Sequence, residues 1–133
     1  MPVKSLNSSV YRWPDRGRVD EAVRLWAKAI VSSRPDIIRL GYFGSYARGD
    51  WGVGSDLDMV AVVDQTEVLF EERGMSWDLS GLPVQATILT YTHSEWIRLQ
   101  EVGSRFAVTL LREALWVYER DEGPNPLPSD PGG

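Results

Sequence analysis

Cysteine is absent from this 133-residue chain. The absence excludes disulfides, thiolate nucleophiles and cysteine-ligated zinc, and it suits a reducing cytoplasm, which is the expected location. Histidine occurs once, at His93, inside what reads as a helix cap, and is assigned no catalysis. Lysine is nearly missing too: of the 14 basic residues only Lys4 and Lys28 are lysine, and the other 12 are arginine. No apolar run approaches the length of a membrane-spanning helix, and the N-terminus lacks the apolar core of a signal peptide, so no membrane association is expected. A basic excess is missing as well. The net charge of -5 argues against unaided binding to a nucleic-acid backbone. A phosphate-bearing substrate remains compatible with that charge if cations neutralise it locally. What is present, 43% apolar and 25% charged residues, is the composition of one ordinary soluble domain.

Residues 1–17 read as an irregular segment broken by Pro2, Pro14 and Gly17. A helix is expected to open at Asp20-Glu21, with Val19, Val23, Trp26 and Ile30 on one face and Pro35 closing it. Residues 36–43 read as a strand, and Gly44-Ser45 turns out of it into a short helical piece ending near Gly49. A loop over 50–54 leads to a second strand, Asp56 to Val63, apolar on both faces at its end and therefore central. Residues 65–73 read as a short helix and Pro83 to Tyr91 as a third strand. Thr92 and Glu95 form a capping-box pattern that starts a helix through about Glu101. Arg105 to Ala114 is a further helix with Phe106, Leu110 and Leu111 on one face, and Leu115 to Tyr118 a closing edge strand. The proline-rich stretch 123–133 reads as a disordered tail. The order predicts an α/β (α+β) domain over 18–122: a short mixed sheet with helices packed mainly on one face.

Two features carry chemistry. Gly44-Ser45 sets a tight turn between two strands, and Asp56 and Asp58 stand two residues apart on the second strand, hence on the same side. Like charges side by side cost stability, and a divalent cation converts that repulsion into coordination. Backbone N–H groups at the turn favour phosphate, Gly44 permits close approach and the Ser45 hydroxyl adds a hydrogen bond. Asp56 and Asp58 would hold Mg²⁺ between themselves and the phosphates. Arg48 reads either as a phosphate partner or as a surface ion pair. Arg12, Arg16 and Arg18 fit solvated surface better than a nucleotide or partner contact. Trp51 and Trp77 fall in loop-like segments, as interface markers or as lids over the core.

Gly44-Ser45-Tyr46-Ala47-Arg48-Gly49 followed by Ser55-Asp56-Leu57-Asp58 resembles the signature of the DNA polymerase beta-like nucleotidyltransferase superfamily, in its minimal nucleotidyltransferase branch. The resemblance is densest over residues 38–63 and traceable through the third strand and the last helix. It implies an enzyme in which Gly44 and Ser45 bind a nucleoside triphosphate such as ATP, while Asp56 and Asp58 are catalytic and bind Mg²⁺. It also implies AMP transfer to a partner macromolecule, with a small helical toxin as the partner and an antitoxin-like role for this chain. The family pattern has a third carboxylate on the following strand. The matching place, Val84-Gln85-Ala86-Thr87, holds Gln85, a neutral amide that cannot act as a general base. The alternative is therefore a catalytically impaired nucleotide-binding or partner-masking module. Neither Asp64, roughly 20 Å along the strand from Asp58, nor Asp78, seven residues before Gln85, reads as a good replacement.

Overall fold

The computed structural model describes residues 13–121. The elements run α1 (Arg16–Val31), β1 (Ile37–Phe43), α2 (Ser45–Arg48), β2 (Leu57–Val63), a 3₁₀ segment (Phe70–Ser76), β3 (Ala86–Thr92), α3 (His93–Val102), α4 (Arg105–Glu113) and β4 (Leu115–Glu119). Arg12 and the tail from Gly123 lie outside the described residues.

The four strands form one mixed sheet in the order β3-β2-β1-β4. β1 runs antiparallel to β2, with Phe43 opposite Asp58, and antiparallel to β4. β2 and β3 are parallel, with Leu57 opposite Ala86 and Asp58 opposite Thr87. β2 is central and buried on both faces, as its unbroken apolar run predicts. Leu57, Met59, Ala61 and Val63 pack towards Val19, Val23 and Ala27 of α1. Val60 and Val62 point the other way, towards Trp96 of α3 and Leu110 of α4. The expected short mixed sheet and α/β class are present. The helices, however, cover both faces rather than mainly one, because a strand apolar on both sides needs a cover on each.

α1 begins earlier than the acidic pair suggests, so the irregular segment does not reach residue 17. Asp15 is the cap: its carboxylate accepts from the Arg18 N–H at 2.9 Å. Asp20 then lies a turn inside the helix, where it accepts from the Tyr42 hydroxyl and from Arg24, each at 2.7 Å. The helical stretch read at 65–73 is instead the 3₁₀ turn at 70–76. It is anchored by one buried arginine: Arg73 donates to the carbonyls of Val68 and Thr90 and to both Glu95 oxygens. β3 starts at Ala86 rather than Pro83, which has no N–H for a ladder. The capping box is complete, Thr92 accepting from the Glu95 N–H at 3.2 Å and Glu95 from the Thr92 N–H at 2.9 Å. Of the apolar residues placed on one face of α4, only Leu110 is fully buried; Phe106 and Leu111 are partly exposed. Trp77 is buried in the core rather than an interface marker, and donates to the Thr90 hydroxyl at 2.9 Å.

Candidate active site

Gly44 leaves the end of β1 at φ +81° and ψ -153°, a conformation that side chains with a Cβ rarely adopt. Space imposes the same choice. A Cβ at Gly44 would stand 2.5 Å from Oδ2 of Asp58, so the turn lies directly against that carboxylate. Ser45 opens α2, which lasts one turn and ends on Gly49 at φ +90°. A single turn adds little dipole, so the turn's own amides carry what attraction it has for anions. The buried ring of Tyr46 anchors the piece: it stacks on Trp51, its hydroxyl accepts from Trp13 at 2.9 Å and donates to the Pro14 carbonyl at 3.2 Å. Arg16 braces α2 through the Ala47 carbonyl at 2.8 Å. Trp51 thus packs on the turn that its loop follows.

Asp56 and Asp58 share the β2 face that carries Val60 and Val62. They open into a cleft of about 480 Å³ whose other wall is α4. Gly44, Ser45, Arg48, Asp56 and Asp58 all line this cleft, opposite Phe106, Thr109 and Glu113. Burial pushes the Asp58 carboxyl above the usual aspartate range, the Asp56 charge pushes it further, and Arg48 pulls the other way. Among the described residues, none donates a hydrogen bond to either carboxylate, and neither is in an ion pair. Two adjacent, partnerless carboxylates fit a hard divalent cation, which commonly binds through one or two carboxylates, phosphates and water. A complete cage is not present: no group of three His, Asp or Glu residues is placed to hold a metal among the described residues.

Arg48 is engaged by protein carboxylates. Its Nε donates to Asp50 at 3.0 Å and its Nη1 to Glu113 at 3.2 Å. Gln85 does not line the cleft. It is exposed immediately before β3, its carbonyl accepting from the Leu57 N–H at 2.8 Å. The alternation of β3 puts Thr87 and Gln85, both uncharged, on the side of Asp58 and Asp56. Asp64 is spent at the far end of β2 on Arg120, at 2.8 Å, and Asp78 on Ser80 at 2.6 Å. His93 is the exposed first residue of α3. Glu113 escaped the sequence reading, although the spacing Phe106, Leu110, Glu113 is that of one helical face.

The architecture and the juxtaposed turn and carboxylate pair define a nucleotidyltransferase-type domain. A family model described as "Nucleotidyltransferase domain" matches residues 25–116, and the chain belongs to that family. Among solved structures, a Sulfolobus solfataricus protein assigned to the nucleotidyltransferases shares the fold, with a TM-score of 0.57 at 19% identity over 81% of this chain and 86% of that one. A toxin-antitoxin structure with AMP-PNP matches more distantly, with a TM-score of 0.48 at 12% identity over 74% of this chain and 75% of the other. No curated protein sequence matches the chain. Among the described residues no helix is long and apolar enough to cross a membrane.

Proposed function

We propose that this protein is a Mg²⁺-dependent nucleotidyltransferase that moves AMP from ATP onto a partner macromolecule. The observation that supports it most is the unpartnered pair Asp56 and Asp58, one of them raised by burial and by the other, facing a cleft that also holds the Gly44-Ser45 turn. Asp56 and Asp58 would hold the metal, whose chemistry is to neutralise phosphate charge and polarise the reacting phosphate. Gly44 and Ser45 receive the triphosphate through backbone amides and one hydroxyl, and Arg48 adds a guanidinium. In the transfer an acceptor oxygen bonds to the α-phosphorus while the bond to the bridging oxygen breaks. Pyrophosphate leaves, and the acceptor proton passes to solvent or to a group on the partner. The resemblance to minimal nucleotidyltransferases supports a protein partner, a small helical toxin, with this chain in the antitoxin-like role.

A second reading is favoured by the uncharged face that β3 turns to the pair. There the protein binds nucleotide or masks its partner without efficient turnover. Covalent attachment of labelled nucleotide to a co-purifying partner marks the enzyme; a stable complex without attachment marks the module.

The enzyme and the nucleotide-binding module both require metal-coupled nucleotide binding; a purely partner-masking module does not. Calorimetry is expected to show ATP binding appreciably more tightly with Mg²⁺ than with a chelator, and Asp58→Asn to abolish the difference. The same substitution, without metal, is expected to leave the melting temperature unchanged or raise it, since it removes the repulsion between half-buried Asp58 and Asp56. Equal ATP affinity with and without Mg²⁺ would overturn the metal site.

A further inference from the structure

We infer that Glu113 is a positioning residue that competes with nucleotide for Arg48 and so lowers the affinity of the cleft for triphosphate. The inference rests on the nucleotide-binding reading of the cleft.

Arg48 is the one basic side chain among the residues lining the cleft. Two carboxylates already hold it. Asp50 comes from the adjoining loop and is 62% exposed, whereas Glu113 comes from the opposite wall and is only 17% exposed. The Glu113 contact therefore spans the cleft, tying the motif side to the last residue of α4. Asp50 and Glu113 hold the guanidinium and Asp56 and Asp58 line the same cleft, so an arriving triphosphate meets an excess of negative charge. To take the Nη1 donor together with the rest of the fork it must displace Glu113. Such displacement is feasible because Arg48 is 45% exposed and an exposed ion pair is weak. A phosphate group carries more charge and more acceptor oxygens than one carboxylate, and once bound it holds the fork of the guanidinium. Removing the Glu113 charge helps nucleotide in two ways of the same sign: it frees Arg48 and relieves repulsion.

The test is calorimetric titration of MgATP into the wild-type protein, Glu113→Gln, Arg48→Met and the double variant. Glu113→Gln is expected to bind MgATP about two- to fivefold more tightly, the range that loss of one exposed ion pair allows. Arg48→Met is expected to bind more weakly, and most of the gain from Glu113→Gln should vanish in its background. A merely structural glutamate would not produce tighter binding that depends on Arg48. If Glu113→Gln does not fold, Glu113→Asp, which retracts the carboxylate by one methylene, is expected to tighten binding part-way. Unchanged or weaker binding in a folded Glu113 variant overturns the inference and leaves the nucleotide site standing. A wild-type protein with no Mg²⁺-dependent ATP binding, indifferent to Asp58→Asn, removes the site and the inference together.

Discussion

Gln85 stands one residue ahead of β3, on the side of the sheet that carries Asp56 and Asp58. Gln85→Asp would put a third carboxylate there, one methylene shorter and exposed, at little steric cost. Nucleotide transfer to the natural partner is expected to increase, and the increase to disappear when Asp58→Asn is added. A wild-type protein that labels its partner rapidly, with Gln85→Asp neutral or slower, would show that two carboxylates and the phosphates suffice. The five residues Gly44, Ser45, Arg48, Asp56 and Asp58 were legible in the sequence because one strand–turn–strand passage holds them all. Glu113 was not: whether its side chain reaches the cleft depends on how α4 lies across the sheet, and no local spacing states that.

Among the elements, those with caps and two-faced or one-faced periodicity were legible. The capping box started α3 where Thr92 and Glu95 say it should, and the apolar run of β2 placed it in the centre. The 3₁₀ segment was misplaced because it is held by an arginine rather than by an apolar stripe. That arginine gives the segment a pH dependence. The hydrogen bond from Arg73 holds the Glu95 carboxyl below the usual glutamate range. A depressed carboxylate contributes stability above its unfolded value, and the contribution is lost as pH falls through the folded one. Glu95→Gln keeps the capping acceptor for Thr92 but removes the charge. At pH 7 it is expected to lower stability by about 1 kcal/mol or less, since Glu95 is 41% exposed and screened. In thermal melts the gap between wild type and variant should close from about pH 4.3 downwards. A gap that persists at low pH would assign the loss to packing instead.

At the scale of the whole molecule, the cleft is a meeting of distant parts of the chain. One wall is the connection between β1 and β2; the other is α4, which precedes edge strand β4. The mixed sheet could be anticipated from element order, but helices on both its faces follow only once β2 is seen to need two covers.

The contact between Gly44 and Asp58 bears on how such a chain can drift under mutation. A methyl group at position 44 would stand 2.5 Å from the Asp58 carboxylate, and φ at +81° would remain strained. Gly44→Ala is therefore expected to destabilise by about 1–3 kcal/mol from backbone strain, with crowding added. Asp58→Ala in the same chain should recover the crowding part alone, a coupling that a double-mutant cycle in denaturant reads directly. Additive effects would mean that the two positions do not meet. With the coupling, position 44 cannot enlarge freely while the acid remains, and once the acid is lost the steric part of the selection for glycine lapses with it. A lineage abandoning this chemistry would therefore lose the acid before the glycine, which backbone strain at φ +81° continues to hold in place.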